Sequence, residues 1–185
     1  DRLVAFEQAL AGFIHLVARL ALQEAQAELG RAMRRVKGYA ANDDSLSAQI
    51  CHAYDHGIMP VVCVGEGLSA RETGVQDAVV AGQIAGVAAA LAGRDQVMVA
   101  YEPVWAIGTG LTASLGQIVA MHEKIRACLL EKLGSSCTIS ILYGGSVKAD
   151  NAGDILSLSE VDGVLVGGAS LDAGQFKNVC YGAAK

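Results

Sequence analysis

Four short runs of branched apolar residues constrain this chain more than anything else in it: Pro60-Val-Val-Cys-Val-Gly65, Gln96-Val-Met-Val-Ala-Tyr101, Thr138-Ile-Ser-Ile-Leu-Tyr143 and Gly163-Val-Leu-Val-Gly167. Each is apolar at nearly every position and lacks the alternation of a strand with one wet face. Each therefore reads as a strand buried on both faces of a parallel sheet. The stretches between them carry helical spacing. In 115–133, Ile118, Met121, Ile125, Cys128 and Leu129 recur with the helical period, Ser114 and Gln117 make a capping box, and Gly134 closes the helix. Residues 75–92 read as an Ala-rich helix, 150–158 as a short one and 172–180 as the last. The order β-α-β-α-β-α-β-α, with crossovers long enough for right-handed units, is that of an α/β fold.

The first 57 residues are different. Leu3, Phe6 and Leu10 share one helical face, residues 13–29 continue as a helical stretch of which Phe13 to Leu22 is ambiguous with strand, and Asp44 to Asp55 reads as another helix. No linker, charge block or low-complexity tract divides the chain, so its 185 residues, 52% hydrophobic, read as a single domain with a real core. Fourteen Lys and Arg against 19 Asp and Glu give a net charge of -5, which argues against nucleic acid or an anionic membrane as partner. A small anion is not excluded, because backbone N–H groups at helix N-termini can hold a phosphate.

The five cysteines, Cys51, Cys63, Cys128, Cys137 and Cys180, are odd in number and widely spaced among apolar residues. They read as buried free thiols in a reducing compartment and not as a disulfide framework or zinc site. With no long uncharged apolar run and no signal-like start, the expectation is a soluble, cytoplasmic protein. The opening Asp1, in place of Met, reads as the start of a partial gene product.

Four clusters fall where strands end: Val64-Gly-Glu-Gly67, Tyr101 to Gly110, Tyr143-Gly-Gly-Ser-Val147 and Val166-Gly-Gly-Ala-Ser170. In parallel α/β folds ligands bind at that edge. Glu102 follows an apolar strand and precedes Pro103, and a carboxylate kept partly dry there gains proton affinity and can act as a general base towards a carbon acid. Alone it would read as a solvated loop glutamate. Its neighbours Val104, Trp105, Ala106, Ile107, Gly108, Thr109 and Gly110 make an apolar loop with a glycine-flanked end, the composition of a water-excluding lid. Gly144, Gly145 and Ser146 after one strand, and Gly167 and Gly168 after the next, let backbone N–H groups approach an anion. Such pairs on successive strands match the phosphate site after the last two strands of an eight-stranded barrel.

Other candidates carry less. His52 and His56, four apart on one helix, lack a third ligand and read as a solvated face; His15 and His122 read as structural. Glu66 reads as structural, paired with a loop arginine such as Arg71. Arg31, Arg34, Arg35 and Lys37 form a basic cluster, by default a solvated face.

The run Y-E-P-V-W-A-I-G-T-G at 101–110, Y-G-G-S at 143–146, L-V-G-G-A-S-L at 165–171 and P-V-V-C-V-G-E at 60–66 together resemble the triosephosphate isomerase family. The likeness covers about 57–180, the second half of that family's (β/α)8 barrel, strands five to eight. It implies a homodimeric enzyme of glycolysis and gluconeogenesis, without cofactor or metal, that interconverts dihydroxyacetone phosphate and glyceraldehyde 3-phosphate. By motif, Glu102 would be the base and 103–110 the lid. Gly108, Ser146, Gly167 and Gly168 would bind the substrate phosphate, and Tyr143 would steady the closed lid.

The first half departs from the family. Nothing matches its N-x-K-M-N motif, whose lysine contacts substrate. Gly30-Arg-Ala-Met-Arg-Arg35 keeps the glycine and arginines of G-H-S-E-R-R but places Arg31 where the electrophilic histidine belongs. A barrel of this kind needs about 250 residues, and 57 cannot hold four βα units of about 30 each. The expectation is of ordered pieces joined near Gly30, with truncation or redesign and wholesale divergence as the alternatives. Two other functional readings stand beside the isomerase. One is a catalytically silent half-barrel that binds phosphate or a partner chain; the other is a different phosphate-binding barrel enzyme.

Overall fold

A computed structural model describes residues 43–107 and 111–182, which belong to the unit Asn42–Lys185. In chain order the elements are α1 (Asp43–Asp55), β1 (Val61–Val64), α2 (Leu68–Glu72), α3 (Gln76–Leu91), β2 (Gln96–Tyr101), a 3-10 turn (Val104–Ala106), α4 (Leu115–Leu133), β3 (Thr138–Tyr143), α5 (Ala152–Leu156), β4 (Gly163–Val164), a second 3-10 turn (Gly168–Leu171) and α6 (Ala173–Gly182). The strands form one parallel sheet in the order β1-β2-β3-β4, so each connection is a crossover carrying at least one helix.

The helix boundaries follow local chemistry. Ser114 Oγ accepts from the Gln117 N–H at 3.3 Å and Gln117 Oε1 accepts from the Ser114 N–H at 2.9 Å, completing the expected capping box of α4. Gly134, at φ 81°, takes the left-handed conformation that ends this helix. Asp172 caps α6 through its Oδ1, which accepts from the Gln175 N–H at 2.8 Å.

The core lies between one face of the sheet and the helices. Val62, Val64, Val97, Val99, Tyr101, Ile141 and Tyr143 are buried against Val80, Ile84, Val87 and Leu91 of α3 and Ile118, Met121, Ile125 and Leu129 of α4. Three expectations are corrected here. β1 is not buried on both faces: it alternates, with Val61 at 40% exposure and Cys63 exposed, whereas β2 beyond Gln96 is partly or fully buried on both. The last strand ends at Val164, not Gly167, because the chain leaves β3 after the Leu165 N–H bonds the Tyr143 carbonyl and turns at Gly168. Among the cysteines only Cys137 is buried; Cys51 and Cys128 are partly so, Cys63 and Cys180 are exposed, and all five are unbridged. The expectations for 1–42, including His15, Arg31, Arg34, Arg35 and Lys37, lie outside the described residues. No described helix is long and apolar enough to cross a membrane.

Candidate active site

Register builds the site. Val64, Tyr101 and Tyr143 stand in one row across β1, β2 and β3, so Gly65, Glu102 and Gly144 form the next row at the C-terminal edge. The ladder continues into that row: the Glu102 N–H donates to the Val64 carbonyl at 2.8 Å and the Gly144 N–H to the Tyr101 carbonyl at 2.8 Å. Glu102 therefore has a glycine on either side. A Cβ on Gly65 would collide with the Glu102 carbonyl oxygen, and one on Gly144 would lie 2.8 Å from Glu102 Cγ. Gly65 leaves room for the Glu102 backbone and Gly144 for its side chain.

Burial holds the Glu102 carboxyl above the ordinary glutamate range, partly offset by a hydrogen bond with the Cys63 side chain from β1. A group in that state accepts a proton more readily than a solvated carboxylate, as a base towards carbon requires.

The loop after Glu102 is fastened to β1. Glu66 is fully buried, and its Oε1 accepts from Trp105 Nε1 at 2.7 Å, Arg71 Nη2 at 2.8 Å and the Tyr101 hydroxyl at 3.1 Å. Arg71 Nη2 also donates to the Tyr101 hydroxyl at 2.8 Å, and its guanidinium lies 5.5 Å from the Trp105 ring centroid. The Val104 N–H adds a bond to the Glu66 carbonyl at 3.1 Å. The Glu66–Arg71 pair was expected from sequence; the convergence of Tyr101 and Trp105 on it was not. Burial, and then the charge of Glu66, push the Tyr101 hydroxyl far up, against the opposing pull of Arg71, so it stays protonated. Pro103 and Ala106 are buried, Val104 and Trp105 are half-buried, and Ile107 is exposed. Gly108, Thr109 and Gly110 lie outside the described residues.

At the end of β3, the buried Tyr143 places its hydroxyl against the backbone of Ala113, beyond the lid loop, and burial raises its pKa. A Cβ on Gly145 would run into that same hydroxyl and ring. The turn that follows is braced by Asn151, whose Oδ1 accepts from the Lys148 N–H at 2.8 Å and whose Nδ2 donates to the Ser146 carbonyl at 2.9 Å. Gly167 and Gly168 are exposed just past β4, where the Ser170 N–H and Oγ both donate to the Gly167 carbonyl, at 2.9 and 2.7 Å. Glu102 and Gly144 thus touch, Gly145 and Ser146 continue from that contact, and Gly167 and Gly168 follow the neighbouring strand.

His122 underlies both strand ends. It is fully buried on α4, its Nδ1 is 2.9 Å from the Glu160 carbonyl, and its ring stands edge-on to Tyr101 with centroids 5.9 Å apart. Burial lowers its pKa and favours the neutral imidazole. His52 and His56 are exposed with rings 4.2 Å apart, and no group of three metal-ligating side chains occurs among the described residues.

Crossover-linked parallel strands, with a partly dry carboxylate and glycine-rich turns at their C-terminal ends, place the chain among parallel β/α proteins with the candidate site at the strand ends. The comparisons narrow this class. The family model described as triosephosphate isomerase matches residues 26–183, further upstream than the motifs alone indicated. The triosephosphate isomerase of Jannaschia sp. (strain CCS1) is 44% identical over 152 residues, 82% of this chain and 61% of that protein. That of Alcanivorax borkumensis is 43% identical over 162 residues, 84% of this chain and 64% of the relative. The Thiobacillus denitrificans protein is 45% identical over 150 residues, 80% of this chain and 60% of the relative. The chain belongs to the triosephosphate isomerase family, whose fold is the (β/α)8 barrel, and β1 to β4 are four consecutive strands of it. It spans about six tenths of the length of these relatives.

Proposed function

We propose that the protein carrying this chain interconverts dihydroxyacetone phosphate and D-glyceraldehyde 3-phosphate. The observation that carries the reading is Glu102: a carboxylate of raised proton affinity between two glycines at the strand edge, in a chain of this family. Glu102 takes the proton from the carbon beside the substrate carbonyl, giving an enediolate, and returns it to the neighbouring carbon, so atoms and charge balance without a cofactor or metal. Ser146 and the backbone of Gly108, Gly167 and Gly168 bind the phosphate. Residues 103–110 close over the substrate, and Tyr143 steadies the closed loop. The family resemblance extends the reading to a cytoplasmic homodimer in glycolysis and gluconeogenesis.

Proton abstraction leaves negative charge on the substrate oxygen, and loss of one donor to such an oxyanion costs about 10² to 10³ in rate. Neither the family's lysine motif nor its histidine motif is matched in this sequence, where Arg31 takes the histidine's place. A polypeptide of these 185 residues alone is therefore expected to be nearly inactive, which favours the silent half-barrel for the isolated chain. The test is Glu102→Gln in the full-length protein, assayed with triose phosphate. A fall of about 10² to 10⁴ is expected, and equal turnover removes Glu102 from the mechanism.

A further inference from the structure

Gln83 is a partly buried residue of α3, set between the buried Val80 and Val87. Its side-chain amide forms two hydrogen bonds with a single residue. The Gly65 N–H donates to Gln83 Oε1 at 2.8 Å, and Gln83 Nε2 donates to the Gly65 carbonyl at 2.9 Å.

The reason Gly65 needs such a partner lies in the ladder. Alternate residues of a parallel strand turn their backbone groups to opposite neighbours. The Val64 and Glu66 carbonyls accept from Glu102 and Val104, so both face β2 and Gly65 faces away from it. There a side-chain amide completes what a neighbouring strand's peptide would otherwise supply, and both polar groups of Gly65 are satisfied. The fixed peptide is also the one packed against Glu102, since the Gly65 Cα leaves no room for even a methyl group before the Glu102 carbonyl.

We infer that Gln83 is a positioning residue for Glu102: by clamping the Gly65 peptide it fixes the backbone surface on which the base is seated. The inference rests on the proposed role of Glu102. It assigns to α3, which carries no residue of the expected site, control over where the carboxylate stands. Without the clamp, Gly65 turns its two polar groups towards water, the seat shifts, and Glu102 moves away from its niche beside Gly144.

The experiment uses the full-length protein and two variants: Gln83→Met, which keeps the volume and loses both bonds, and Gln83→Asn, which keeps the amide but is too short to span them. Both are first checked for folding by thermal melting. The readout is the titration of the Glu102 carboxyl by 13C NMR, its resonance identified by its loss in Glu102→Gln. The titration midpoint is expected to fall towards that of an ordinary glutamate in both variants, with kcat lowered about 10- to 100-fold and KM changed by less than about twofold. An unchanged midpoint in the folded variants overturns the inference, whatever the activity. Full activity of Glu102→Gln would instead refute the base reading and leave the titration result to decide whether Gln83 seats the carboxyl.

Discussion

Gly144→Ala isolates the position of the base from the stability of the fold. The added methyl would meet Glu102 Cγ at 2.8 Å and Oε1 at 3.4 Å, with the Tyr101 carbonyl at 3.4 Å. Only the first contact is too close, and it falls on a side chain that can rotate. With ordinary contacts beginning near about 3.4 Å, the Glu102 arm has to yield by roughly 0.6 Å. Gly144 does not occupy the left-handed region, so alanine brings no backbone strain. The expected stability change is within about 1 kcal/mol. A displacement approaching 1 Å in a reacting group costs up to about 10²-fold in rate, so kcat should fall at least about tenfold while the protein remains folded. Steady-state kinetics with triose phosphate, paired with denaturant melts, measure both quantities. Gly65→Ala is the contrasting control, because its methyl meets the Glu102 backbone and rotation cannot relieve it. A folded Gly144→Ala protein with unchanged kcat would refute the argument that the glycine row seats the carboxylate.

Three further outcomes follow from the same geometry. Burial makes folded Glu102 hold its proton more tightly than the unfolded chain does, so ionising it costs stability as pH rises past the unfolded value of about 4.3. Glu102→Gln should therefore melt higher than the parent at neutral pH, with the advantage vanishing near pH 4 and below. His122 has the opposite sign: its folded pKa is depressed, so its neutral form supports the fold above about pH 6.5 and that support is lost as pH falls. His122→Leu should flatten this part of the pH–stability curve, and an unaltered curve would remove the buried imidazole from the account. Asp162 Oδ2 accepts from the Ile141 N–H at 2.7 Å and from Arg126 Nη2 at 2.9 Å. Asp162→Ala leaves that N–H unpaired, and urea unfolding should show a loss of about 1 to 3 kcal/mol.

The sequence carried the features whose causes are local. β2 and β3 appear at the expected residues because their apolar runs are long and sharply bounded, and α4 because its cap, stripe and terminal glycine agree. α2, with five residues and no buried side chain, leaves no hydrophobic period to find. The one-sided burial of β1 also escaped, because an unbroken apolar run reads the same whether one face or two are covered. In the site, Glu102 was legible as a carboxylate at a strand end. The purpose of Gly144 was not, because the space it leaves belongs to a residue 42 positions earlier. Likewise the seating of Trp105 on Glu66 spans 39 residues and Asn151 braces a turn that resembles any Gly-Gly-Ser loop. A glutamine at 83 was the visible signal for the Gly65 clamp, being polar between two buried valines.

The Tyr143 ring fills the volume that a side chain at position 145 would need, and it does so with its ring carbons as well as its hydroxyl. Anyone redesigning the turn after β3 to accept a bulkier ligand thus faces an ordering constraint. Tyr143→Phe frees no path for residue 145, so the aromatic group itself must go first, and the contact with Ala113 beyond the lid goes with it. Residues 143 and 145 are a single design variable, and a library that randomises 145 while holding Tyr143 will recover only glycine.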